Sequence, residues 1–105
     1  MRILLDGPGG AAPRLEDADD FTSFSISAIG APDAQRLSTA AAALGRAEGE
    51  THVFVEPFAL VSLAGDRGRD PRWLERLSKM VAYAREHGWV DEREAMRAHV
   101  EWRDA

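Results

Sequence analysis

The stretch from Asp70 to Trp102 constrains the fold more than any other part of this sequence. Asp70-Pro71 joins a strong N-cap residue to a proline, whose fixed φ and missing N–H suit the first helical position. Gly88 fits the left-handed position just past a helix, and His87 sits in the last turn, where positive charge is favoured. At 100° per residue, Trp73, Leu74, Leu77, Met80, Val81 and Ala84 fall within one arc of about 120°, so the spacing predicts a helix over 71–87 with a buried face. After Trp89-Val90 and the polar turn from Asp91 to Glu94, Met96, Ala98, Val100 and Trp102 alternate with Arg97, His99, Glu101 and Arg103. That is the pattern of a half-buried strand, read here as the return arm of a hairpin.

The rest of the chain supplies partners for this unit. Arg2 to Asp6 reads as a first strand that stops at the turn-forming Gly7-Pro8-Gly9-Gly10, and Glu16 to Asp20 reads as an acidic, solvated loop. Phe21 to Ala28 alternates as a second strand, with Phe24, Ile26 and Ala28 on one face and Ser23, Ser25 and Ser27 on the other. These two strands are expected to pair, although about 15 residues is a long connection for a hairpin. Pro32, Asp33 and the spacing of Ala34, Leu37, Ala41 and Leu44 predict a helix over 32–46. Thr51 to Glu56 is a short β-rich run, Pro57 opens a short helix to Gly65, and 65–69 is a loop. The fold expected is α+β: an antiparallel or mixed sheet of three to five strands, packed by two main helices, in one domain spanning 1–105.

Composition narrows function mainly by exclusion. A chain of 105 residues with 45% hydrophobic and 30% charged residues has a globular balance and room for one core. Without cysteine it has no disulfide framework, thiolate nucleophile or Cys-based metal site. The N-terminal apolar run is too short for a signal peptide, and no run approaches the roughly 20 residues that span a bilayer, so a cytoplasmic protein with no membrane partner is expected. Arginine supplies 12 of the 13 basic residues and alanine is abundant, which fits the codon bias of a GC-rich bacterial genome. Gly7-Pro8-Gly9-Gly10 follows a strand but lacks both phosphate-loop patterns, and the serines stand in no nucleophile motif. No cofactor is expected.

Two groups of residues remain as candidate sites. Arg72, Arg76, Lys79, Tyr83 and His87 share an arc of about 80° on the long helix, beside its buried face. Residues 65–88 carry six basic and four acidic side chains, a local +2, whereas the whole chain carries −5. The second group is polar: His99 and Glu101 lie two apart on one strand face, about 7 Å from each other, where they could begin a metal site or an imidazole–carboxylate pair. His52 and Glu56 flank another strand that could converge on them.

Three functions follow. The favoured one is a non-enzymatic interaction or accessory module, probing another protein through the Arg72–His87 stripe or pairing with itself as a homodimer. Trp89 and Trp102 are expected to close the core rather than anchor a partner, and Ala40, Ala42, Ala43 and Ala47 to leave a smooth helix surface. The second is a winged-helix-like DNA-binding protein, by analogy with the order helix, helix, hairpin, in which Arg72, Arg76 and Lys79 would meet phosphates or guanine edges. Against it stand the acidic turn Asp91-Glu92-Arg93-Glu94 and the bordering Glu75 and Glu86. The third is a small-molecule or metal-dependent enzyme using His99 and Glu101.

Overall fold

A computed structural model describes residues 1–5 and 12–103. In chain order the elements are β1 (Arg2–Leu5), β2 (Arg14–Glu16), β3 (Ser25–Ile29), α1 (Ala34–Ala40), β4 (Gly45–Glu48), β5 (His52–Val55), α2 (Pro57–Leu63), a 3-10 segment (Gly65–Arg69), α3 (Pro71–Glu86) and β6 (Met96–Arg103). The Gly7–Gly10 turn lies outside the described residues.

The strands form one mixed sheet in the order β2-β1-β3-β6-β5-β4. β1 and β6 both run parallel to β3, and the other neighbours are antiparallel. Side chains alternate across a strand, so one face collects Ile3, Leu5, Ile26, Ala28, Val53, Val55, Met96, Ala98 and Val100, all buried. Leu37 of α1, Ala59 and Leu60 of α2, and Trp73, Leu77, Val81 and Ala84 of α3 join the same cluster. The helices therefore cover one face of the sheet, and among the described residues none of them packs on the other, here called the open face. Along the open face one register row crosses all six strands: Glu16, Arg2, Ser25, His99, His52 and Glu48.

The α+β class with a mixed sheet agrees with the sequence reading, but there are six strands rather than three to five; the three α-helices are the two main ones expected and the short one opened by Pro57. The two unforeseen strands are short and poor in β-formers. β2 has three residues and is held to β1 by backbone pairing and the Arg2–Glu16 ion pair at 2.7 Å. β4, Gly-Arg-Ala-Glu, overlaps the end of the segment that the alanine-rich spacing assigns to helix, at Gly45 and Arg46, and pairs residue by residue with β5. α1 accordingly stops at Ala40. Asp33 is its N-cap, accepting from the Arg36 N–H at 3.0 Å, and Pro32 lies outside it. Ala42 and Ala43 then belong to a turn and Ala47 to β4, so the smooth alanine helix surface does not form. β1 and β3 do pair, in parallel; β2 turns back along the outer edge of β1, which accounts for the length of the connection.

The C-terminal unit keeps its local features and changes its setting. Asp70 caps α3, accepting from the Arg72 N–H at 2.9 Å. Gly88 takes φ +75°. Its N–H bonds the Arg85 carbonyl at 3.1 Å and the Trp89 N–H bonds the Ala84 carbonyl at 2.9 Å, which together are a Schellman ending. Leu74, at the edge of the predicted core arc, is 37% exposed. The hairpin is reduced to a single bridge between Val90 and Met96. β6 instead runs through the middle of the sheet, between β3 and β5. A strand with one covered and one open face alternates apolar and polar residues whether it is central or at an edge, so the pattern was right and the position was not.

Candidate functional site

A mismatch in strand length leaves a groove beside β6. β3 begins at Ser25, opposite His99, so Met96, Arg97 and Ala98 of β6 extend past its start. Phe21 to Phe24 cross the gap on one side. On the other, Trp89 and Val90 lie against β6 through the Val90–Met96 bridge and the bond from the Arg97 N–H to the Trp89 carbonyl at 2.8 Å. The resulting groove, of about 330 Å³, has Phe21, Phe24, Met80, Tyr83, Trp89 and Met96 among its apolar lining and His52, Arg97 and His99 at its polar end.

Both walls are fixed. The segment before β3 is held to α3 by the Trp73 indole N–H, which donates to the Ala18 carbonyl at 2.8 Å. Arg76 donates to the Asp19 carbonyl at 3.2 Å and lies over the Phe21 ring, and Arg67 pairs with the Asp19 carboxylate at 3.1 Å. On the opposite wall the Schellman turn brings Trp89 back onto the helix end. His87 stacks on Trp89 with ring centroids 4.7 Å apart, and Tyr83 packs on His87 at 4.2 Å. Tyr83 is 57% and Trp89 46% exposed, so this trio presents an aromatic surface to solvent at the end of α3. Trp89 is thus not a core residue, contrary to the sequence expectation. Trp102 is half-buried and donates to the Glu50 carbonyl at 2.7 Å.

The predicted stripe Arg72, Arg76, Lys79, Tyr83 and His87 is exposed along α3. Its two ends differ in character. Arg76 is engaged as described, and Lys79 pairs with Glu75 at 3.6 Å. Arg85, beside the stripe, pairs with Glu94 of the acidic turn. At the far end Tyr83 lines the groove, and His87 stands beside it, stacked on Trp89. Phe21, Phe24 and Trp89 were not among the predicted site residues. Their signal in the sequence was large aromatic side chains at the margins of strands; the alternating pattern assigns Phe24 to the apolar face of the second strand, with Ile26 and Ala28.

The second predicted group is rearranged. Glu101 turns along its own strand to Arg103, at 3.4 Å, rather than to His99. The neighbour of His99 is His52, its register partner across β5 and β6, with ring centroids 5.3 Å apart in an edge-to-face arrangement. Next to them Arg97 grips Glu48 with two N–H groups, at 3.0 and 2.6 Å. That hydrogen bond, more than its charge, holds the Glu48 carboxyl below its usual range. Burial, reinforced by Arg97 and His99, lowers His52 below the ordinary histidine value. Glu56 caps the start of α2 without a side-chain bond and does not line the groove.

Among the described residues no helix is long and apolar enough to cross a membrane, and no three or more His, Asp or Glu side chains converge as a metal cluster. Comparison with protein-family models, curated proteins and solved structures finds no match to this chain. What the arrangement offers chemically is an apolar trough with a stiff aromatic wall at one end and two imidazoles at the other.

Proposed function

We propose that this chain is a protein-interaction module that pairs with a second copy of itself through the groove and its aromatic wall. The observation that carries the reading is the Tyr83–His87–Trp89 stack, large aromatic surface left in water beside a trough lined by further apolar side chains. Aromatic side chains concentrate binding energy at interfaces, and an ordered stack loses little conformational freedom when a partner covers it. A two-fold contact sets the same patch against itself, so the patch must not repel its own copy. Its charged rim meets that condition: Arg85 and Arg97 are balanced by Glu94 and Glu48.

The other readings draw less support. Duplex DNA would need the cations of α3, yet Arg76, Lys79 and Arg85 are each already engaged within the fold, and phosphate would have to displace those partners. An imidazole–carboxylate pair for proton transfer would need His99 and Glu101 in contact, and Glu101 is directed to Arg103.

Light scattering coupled to size-exclusion chromatography tests the proposal. The wild-type chain should run as a dimer at tens of micromolar, and Trp89→Ala or Tyr83→Ser should shift it to monomer while circular dichroism stays unchanged. A wild-type chain that remains monomeric at several hundred micromolar sinks the reading.

A further inference from the structure

The two imidazoles at the polar end of the groove are spaced as two ligands of one metal ion would be. His52 and His99 face each other across antiparallel β5 and β6, on the open face of the sheet, where directly opposed side chains sit closest. In a tetrahedral site with metal–nitrogen bonds of about 2.0–2.1 Å, each imidazole centroid lies about 3.2 Å from the metal and the two centroids about 5.2 Å from each other. The observed separation is 5.3 Å.

The surroundings of His52 favour the same use. Its Nδ1 is 2.8 Å from the Thr51 hydroxyl and 3.9 Å from the Glu48 carboxylate. With the Nδ1–H donated to that hydroxyl and the carboxylate behind it, Nε2 keeps its lone pair; outer partners of this kind orient the histidines of metal sites. Arg97 is the nearest unfavourable charge, and its guanidinium is committed to Glu48 through two hydrogen bonds. His99 is exposed, and both rings line the groove, so a hydrated ion has a path in.

We propose that His52 and His99 bind one imidazole-preferring divalent metal ion, zinc or copper, with water filling the other positions. Two neutral imidazoles suit Zn²⁺ and Cu²⁺, and the usual divalent series places copper above zinc; Mg²⁺, which demands oxygen ligands, should be ignored. The site goes beyond the self-association reading and does not depend on it.

Isothermal titration of the untagged chain with ZnCl₂ and with CuCl₂, with electron paramagnetic resonance of the copper form, tests this. Saturation at one ion per chain is expected, with copper tighter than zinc and nitrogen hyperfine coupling in the copper spectrum. His52→Gln and His99→Gln should each weaken zinc binding by at least about tenfold, the lower end of what loss of even an outer-shell partner causes. His87→Gln, which changes the third histidine of the chain, should leave binding unaltered. Absence of saturable binding, or binding that survives both of the first two substitutions or is lost with His87, overturns the proposal. Running the same titration on Trp89→Ala separates it from dimerisation, because a monomeric variant should still bind the metal.

Discussion

Replacing Trp73 by phenylalanine should release the wall of the groove and reveal how much of the fold depends on it. Trp73 is 3% exposed, packs on Phe21 with centroids 5.7 Å apart and donates its indole N–H to Ala18 at 2.8 Å. Phenylalanine keeps an aromatic ring against Phe21 but removes the donor, at about 1 kcal/mol for a typical intramolecular hydrogen bond. It is also roughly 40 Å³ smaller, which at ~24 cal/mol per Å³ of unfilled volume adds about 1 kcal/mol. The total, about 2 kcal/mol, corresponds to a fall in Tm of roughly 8–16 °C for a chain of this size. Urea denaturation followed by circular dichroism should show an earlier midpoint with an unchanged slope, since the surface exposed on unfolding stays the same. Hydrogen exchange should quicken at the Asp20 amide, whose bond to the Asp17 carbonyl lies in the released segment. A Trp73→Phe variant within 0.5 kcal/mol of wild type, with Asp20 protected as before, would falsify the claim that the indole anchors residues 17–24.

Asp91 should govern part of the acid stability. Burial pushes its carboxyl up, but bonds from the Ala95 and Arg93 N–H groups and the nearby Arg46 guanidinium outweigh that and leave it below its ordinary value of 3.8. A depressed folded value means stability that is present above 3.8 and lost as pH falls through the folded value. Asp91→Ala, which removes both backbone bonds, should cost about 1–2 kcal/mol at pH 7 and show a shallower loss of stability below that range in urea titrations at stepped pH. At Gly45, φ is +154° and an added Cβ would overlap the Phe54 carbonyl oxygen, so Gly45→Ala should cost at least about 2 kcal/mol and loosen β4 in hydrogen exchange. Gly49→Asn is the control: φ is +58° with open space around the Cα, a conformation asparagine tolerates, and thermal melts should barely move.

The features legible in the sequence are those whose cause is local. Asp70 and Gly88 mark the ends of α3 because capping is chemistry between residues a few positions apart, and both do in the structure what their types imply. Leu37 and Leu44 are buried as the helical spacing of their segment implies, yet the helix ends between them. There a non-local cause wins: β5 offers a full ladder of backbone partners to Gly45–Glu48, and pairing outweighs the helix propensity of alanine. The sequence could name His52 as converging on His99 but could not place the contact, for the same reason. Sequence showed His99 beside Glu101 because they share a strand; only the register between β5 and β6 reveals that the imidazole of His52 is the nearer partner.

The groove joins these two kinds of information, because it arises where the sheet fails to continue. Within a paired strand, alternation sends Met96 and Ala98 to one face and Arg97 and His99 to the other, and neighbouring strands keep the two sets apart. Where β3 stops short, that separation lapses along one side of β6, and the same groove is lined by Met96 from the core face and by Arg97 and His99 from the open face. Extending β3 by even one paired residue would draw Phe24 into the ladder opposite Ala98 and close part of the gap. The groove is therefore set by where β3 begins, and the chain just before that boundary is held by the contacts of Trp73, Arg76 and Arg67 with residues 18–21.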